Sequence, residues 1–402
     1  MNRYDKILNF RYFILQAMFW GTAVVNYAYM TQILEYKGFT EIEIGILNGA
    51  KLLVGIAFQV WIGVFSDKHT YTVPLKMIIA VLSVGAAILT IGLYFTGHNF
   101  AVMLFIAMGF GITFTTINPL IDSLSILYVN HGENLNFAKG RTGGSFAWAF
   151  LCLFAGWYCD YLGLKSFPLW GLFFLLILML VAFTMPWKNI KKENFISFKR
   201  RKSESHPHSV LYLLKNYPVY TLFLAGSAVM FMGYNLGSTF LIDIFTGLGG
   251  DNSDYGMSQF IMAISEVPAA FIVIRMKPKV PVKWMMLCCT VFMTIKFLVP
   301  CFASSVNVII AVQACEMLGL GLFYGASMYF ISELLPEVDI VKGTTMLSVA
   351  TVGVGEGLAS MMCGFIRHRI GLYGLLWTSA VVCAVSIVIM FIMCRLEKTS
   401  DN

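Results

Sequence analysis

Long apolar runs separated by short polar breaks set the pattern of this chain. About twelve runs can be placed, each of about 20 residues, the length that crosses a bilayer core as a helix. Spans 1 to 6 fall near 11–33, 44–66, 77–97, 100–127, 143–163 and 167–186. Spans 7 to 12 fall near 217–245, 256–274, 284–304, 306–333, 344–366 and 371–394. None shows the two-residue alternation of a lipid-facing barrel strand, so all are predicted to be helices. The pattern predicts an all-α integral membrane protein with twelve transmembrane helices.

The longest polar break divides six spans from six. It holds "KNIKKENFISFKRRKSESHPHS", charged and containing Ser, His and Pro, as suits a cytoplasmic linker. The expected organisation is an N-terminal six-helix bundle at 1–186, a linker at 187–216 and a C-terminal six-helix bundle at 217–402. The halves share a register. "VPLKM" at 73–77 returns as "VPVKW" at 280–284, and at the same offset of 207 Tyr27 meets Tyr234. Parallel repeats of this kind are expected to place a substrate site between the halves near the midplane.

Composition agrees with lipid as the main solvent. The chain is 58% hydrophobic and 12% charged, whereas soluble domains are about 25% charged. Basic residues fix an expected orientation with both termini inside, because most of the 28 Lys and Arg then fall on cytoplasmic segments. Eight of them lie between Lys188 and Lys215; Arg367 and Arg369 are exceptions outside. The net charge of +7 is thus a topology signal, and no nucleic-acid partner is expected. Arg3, Lys6 and Arg11 precede an apolar run too long for a signal peptide and without a cleavage site, so span 1 reads as a retained helix. The nine cysteines sit in or beside apolar runs without metal spacing and read as buried structural thiols. No cofactor and no metal are expected.

Ionisable groups within spans carry the functional signal, since each costs several kcal/mol to insert. The acids are Asp122, Glu266, Glu316 and Glu356; the bases are Lys51, Arg141 and Lys296. Lys51 reads as a snorkelling residue toward the outer end of span 2. Acids outnumber bases, so at least one carboxyl is not neutralised within this set, as a proton-coupling site requires. Asp122 precedes the loop between spans 4 and 5, and Arg141 follows it, within reach of a long guanidinium stem. Trp148 lies two helical turns beyond Arg141 on the same face. Arg141 alone reads as an edge anchor; the trio reads as a binding surface for a polar solute. Tyr27 and Asn26, with Tyr234 and Asn235, stand at pseudo-symmetric positions where a cavity lining and ordinary inter-helix bonding are both open. "GAKLLVG" at 49–55 and "GVGEG" at 353–357 read as close-packing stretches.

Several of these residues carry a resemblance. "GVFSDK" at 63–68 resembles the loop signature of the major facilitator superfamily, with Gly63, Asp67 and Lys68 as its gating-loop residues. Thr70, Tyr71 and Thr72 depart from the Gly and basic pair that follow in the family. "NPLIDS" at 118–123 with "FAKGRTGGSFAWA" at 137–149 is similar to the oligosaccharide–proton symporters, the lactose permease group, and to the phenylpropionate-permease and nucleoside-symporter groups. The resemblance implies that Asp122, Arg141 and Trp148 bind substrate, the Trp by stacking on a sugar ring. Asp stands for the symporters' Glu. On the proton side the letters change. Lys296 stands for an Arg, Glu316 for a His and Gly319 for the proton-carrying carboxylate, while Asn235 and Glu356 replace a charged pair. Glu316, biased by Lys296, is therefore the expected proton carrier, with Glu266 and Glu356 as alternatives.

The function expected is a secondary active transporter, a proton-coupled symporter of a sugar or oligosaccharide. A carrier of a nucleoside or aromatic acid is the alternative within the class, and a transporter-fold nutrient sensor the alternative outside it. An enzyme would need a nucleophile–base or metal constellation, which the sequence lacks. The expected setting is the inner cell membrane, as a monomer, with a small polar solute and a proton as its partners.

Overall fold

The computed structural model describes residues 3–69, 72–187 and 208–400, leaving aside the side chains of 67, 68, 138, 270 and 397–400. Every regular element among them is helical. Nine helical segments among the described residues are long and apolar enough to cross a membrane, and the last of these, Glu337–Leu396, has 60 residues. That is well over twice the length a crossing needs. Gly371 divides it, at φ 76°, a left-handed conformation that glycine adopts without Cβ strain. Each of the twelve predicted spans is helical. Spans 1 and 5, Arg3–Ala23 and Phe137–Leu162, are the polar-rich ones.

Local sequence sets where the helices begin. Asn99, Asn136 and Ser209 cap Phe100–Ile112, Phe137–Leu162 and Val210–Asn216 by accepting from backbone amides three residues on. Asp251 and Asp254 form a reciprocal capping box at Asn252–Met276. Pro168 and Pro218 occupy first turns, where their missing N–H costs nothing.

Three of the departures from α-geometry within the spans bear on the ionisable side chains. A π turn at Val24–Ala28 breaks span 1 before Met30–Tyr36. A 3-10 turn at Gln313–Met317 separates Val306–Val312 from Leu320–Leu334 in span 10. A second π segment, Val349–Gly357, links Ile340–Ser348 to the helix that starts at Leu358 in span 11.

The chain divides into two compact units, Met1–Phe39 with Ala50–Glu204, and Thr40–Gly49 with Ser205–Asn402. Most of the expected linker, residues 188–207, lies outside the described residues; its last part forms the short helix Val210–Asn216. Thr40–Gly49 packs in the second unit because glycines let backbones meet: a Cβ on Gly364 would lie 2.1 Å from the Glu41 carbonyl oxygen.

Lipid tails are as apolar as Leu, so packing and not water exclusion holds such helices together. The first unit stacks Phe19 on Phe114 at 4.9 Å between ring centroids. The second gathers Phe223, Phe231, Phe323 and Phe330 around one centre. Spans 2 and 4 cross where Gly55 faces Gly111, and a Cβ on Gly111 would lie 2.3 Å from the Lys51 carbonyl oxygen. That neighbour is backbone and cannot rotate away. Gly111→Ala is therefore expected to destabilise the protein by about 1–3 kcal/mol, read as a lowered melting temperature in detergent. Gly97→Ala, where a Cβ meets nothing within 4 Å, should leave the melting temperature unchanged.

Candidate functional site

The first unit builds a polar cluster from spans 1, 4 and 5. Pro119 sits inside Phe114–Asn130, and Asp122 follows it one turn later. The Arg141 Nη1 lies 3.5 Å from the Asp122 Oδ2, with side chains 42% and 31% exposed. A bond this long between half-exposed groups is a weak tie. The firmer hold on Asp122 comes from Gln16, whose Nε2 donates to Asp122 Oδ1 at 3.0 Å and to the Tyr12 hydroxyl at 2.9 Å. Gln16 and Tyr12 are fully buried. The guanidinium of Arg141 lies 5.6 Å from the Trp20 ring centre. Trp20 in turn meets Trp148 edge to face at 5.6 Å. Asp122, Arg141 and Trp148 thus belong to one array, with Gln16 and Trp20 as its intermediates.

Gln16 and Trp20 were not singled out from sequence. A signal was present: Tyr12, Gln16 and Trp20 recur every four residues and share one face of span 1. That face meets span 5 through Gly140, Gly143 and Gly144, where a Cβ would strike Tyr12, Phe13 and Trp20. The "GRTGGS" segment is small so that span 1 can approach it.

Tyr27 lies in the π turn of span 1, 40% exposed, with its ring 5.5 Å from Phe114. Lys51 corrects an expectation. It does not snorkel outward: its side chain is buried, its Nζ donates to the Asn26 carbonyl at 2.8 Å, and it stands 5.3 Å from the Tyr27 ring centre. The π turn frees that carbonyl from α-helical bonding, and the ammonium takes it up.

The second unit builds a buried charge cluster around Tyr234. Lys296 Nζ donates to Glu316 Oε2 at 2.5 Å, and the two side chains are 2% and 1% exposed. The same ammonium lies 5.2 Å from the Tyr234 ring centre and 5.6 Å from that of Phe297. The second Glu316 oxygen, Oε1, finds no hydrogen-bond partner among the described residues. Tyr234 stands within electrostatic reach of Glu316, Glu356 and Glu266. All four expected coupling residues therefore converge on one tyrosine. Glu266 reaches the cluster where Gly321 lets spans 8 and 10 touch. Glu356 reaches it from the π segment of span 11. Asn235 is engaged differently: its Oδ1 accepts from Ser360 Oγ at 2.8 Å and Thr239 Oγ1 at 3.3 Å, tying span 7 to span 11.

Elsewhere, Gly63 lies within Glu41–His69 with open space where a Cβ would be. The side chains of Asp67 and Lys68 lie outside the described residues. Arg367, expected outside, bonds Asp243 and lies 3.8 Å from Glu41.

Apolar crossing helices in two compact units, with ionisable side chains gathered within each, define a multi-pass membrane transporter of the major facilitator type. The chain belongs to the MFS_1 like family, matched over residues 7–393. It is 22% identical over 332 residues to the uncharacterized transporter YwbF of Bacillus subtilis (strain 168), covering 82% of this chain and 79% of that one. Its fold is similar to the crystal structure of the nucleoside transporter NupG, with a TM-score of 0.77 and 14% identity over 99% of this chain and 100% of that one. It is similar also to the D-xylose-proton symporter, at 0.71 and 12% identity over 96% and 97%.

The Lys296–Glu316 pair yields a stability test. Removing one partner of a buried pair leaves an uncompensated charge and costs about 3–5 kcal/mol, whereas replacing both with apolar groups is often neutral. Lys296→Met should lower the melting temperature of the purified protein. The double variant Lys296→Met/Glu316→Leu should recover most of the loss. A neutral single variant would show that the pair is not held as a charged unit.

Proposed function

We propose that this protein is a proton-coupled importer of a neutral, hydroxyl-rich organic solute, a sugar or short oligosaccharide first. The observation that carries the proposal is the Gln16–Asp122–Arg141 array walled by Trp20 and Trp148. A carboxylate accepts from hydroxyls, a guanidinium donates to them, and an indole packs the apolar face of a pyranose ring. Asp122 and Arg141 are part exposed and weakly tied to each other, so a ligand can share both. Tyr27 extends the same surface along span 1. In the second unit the proton role goes to Glu316, with Lys296 as its bias and Glu266 and Glu356 as neighbours. Asn235 serves that unit by fixing span 7 against span 11. Asp67, Lys68 and Gly63 keep the gating-loop role implied by their motif.

A nucleoside is the second reading. It adds an aromatic base to a hydroxyl-bearing ring, and the edge-to-face Trp20–Trp148 pair offers a wall for such a base. A fold shared with a nucleoside transporter and with a D-xylose-proton symporter agrees with both readings and selects neither. The distribution of Lys and Arg supports cytoplasmic termini in an inner membrane. The solute crosses by alternating access, with the monomer as the working unit.

Uptake of labelled sugars and nucleosides, in cells lacking their own carriers, tests this reading. Sugar accumulation above the external level, abolished by a protonophore, is the expected result. Arg141→Lys should reduce that uptake by about tenfold or more, because a lysine cannot present the planar fork. Accumulation indifferent to the protonophore would overturn the coupling. A protein that reaches the membrane and moves no member of the panel would point to a sensor.

A further inference from the structure

The 3-10 turn of span 10 holds a second buried acceptor that no role above uses. Gln313 opens the turn Gln313–Met317, and Glu316 follows three residues later. A 3-10 helix has three residues per turn, so these two side chains project from the same side, one above the other. Both are 1% exposed. Gln313 Oε1 and Glu316 Oε1 are each buried without a hydrogen-bond partner among the described residues. Two neighbouring buried acceptors with no donor lack one hydrogen, and leaving both unsatisfied is costly. Other oxygens of the cluster are committed: Glu316 Oε2 to Lys296, and Asn235 Oδ1 to Ser360 and Thr239.

We infer that Gln313 is the positioning residue for the coupling proton: when Glu316 takes a proton on Oε1, that carboxyl O–H donates to Gln313 Oε1. The inference rests on the proton role of Glu316 proposed above. In it, one proton from the aqueous phase binds Glu316 Oε1, and no other bond forms or breaks. The Lys296 ammonium keeps its own protons and its contact with Oε2. The groups that act on the carboxyl are Lys296 from Val282–Leu298, Tyr234 from Pro218–Ser238 and Cys315 on span 10 itself, and Tyr234 in turn faces Glu266 from Asn252–Met276, Glu356 from Val349–Gly357 and Tyr324. Lys296 is the charged partner of the carboxylate. Gln313 is the neutral group on the turn that favours the protonated form by accepting its hydrogen. The mid-span 3-10 geometry is what brings the two side chains into line. A continuous α-helix would offset residues three apart by about 60°.

The test needs no transported solute. Purified full-length protein in phosphatidylcholine vesicles is titrated while infrared difference spectra follow the carbonyl stretch of a protonated carboxyl. The part of the signal lost in Glu316→Gln belongs to Glu316. Gln313→Met keeps the volume and removes the acceptor, and should lower the protonation midpoint of Glu316 by about one pH unit, a tenfold loss of proton affinity. Gln313→Asn keeps the amide but shortens its reach, and should lower the midpoint by less; it reads the same effect if the Met variant fails to fold. An unchanged midpoint in a folded variant overturns the inference. A raised midpoint overturns it too, since the amide would then be donating to the carboxylate. If Glu316→Gln removes no titrating band at all, the proton role itself fails and takes the inference with it.

Discussion

Backbone amides and carbonyls in lipid have no water to turn to, so each must be satisfied within the protein. A helix that keeps its i to i−4 ladder meets this demand along its whole length and has no carbonyl to spare. The described spans obey the rule over most of their length, and three of the places where they break it are informative. The π turn at Val24–Ala28 releases the Asn26 carbonyl that Lys51 occupies and presents Tyr27. The 3-10 turn at Gln313–Met317 carries Glu316. The π segment at Val349–Gly357 carries Glu356. Departures of this kind are costly where nothing binds the freed groups, and they collect at functional positions. Two of the four acids within the spans, Glu316 and Glu356, thus lie on irregular backbone, whereas Asp122 and Glu266 lie in regular helix.

Much of the fold was legible in the chain because the bilayer imposes a single length and a single period of structure. Span count, helix class and the Asp122–Arg141 contact follow from run lengths, from the hairpin between spans 4 and 5, and from the reach of an arginine. Gln16 and Trp20 escaped notice for a physical reason. An amide and an indole in an apolar run carry no charge, and their importance lies in which partners the tertiary fold brings to them. Lys51 was misread because snorkelling depends on whether lipid or protein surrounds the stem. Its carbonyl partner exists only through the π turn, which no residue pattern in "AVVNYAYM" announces. The convergence of Glu266, Glu316 and Glu356 on Tyr234 likewise depends on how spans 7, 8, 10 and 11 pack.

Burial separates the two clusters. Asp122 and Arg141 keep about a third of their side chains open and hold each other at 3.5 Å, so either can take a ligand without leaving a bare charge behind. Lys296 and Glu316 are sealed at 2% and 1% exposure and 2.5 Å apart. A solute with several hydroxyls needs room that the second pair does not offer, whereas a proton needs none. Desolvation that would exclude a sugar sharpens the difference between a charged and a neutral carboxyl, because every nearby charge and dipole acts through a weak dielectric. A carrier that couples two gradients needs one site tolerant of water and shape and another governed by charge alone. The first cluster is the exposed environment and the second the closed one, which is the contrast the proposed coupling draws on.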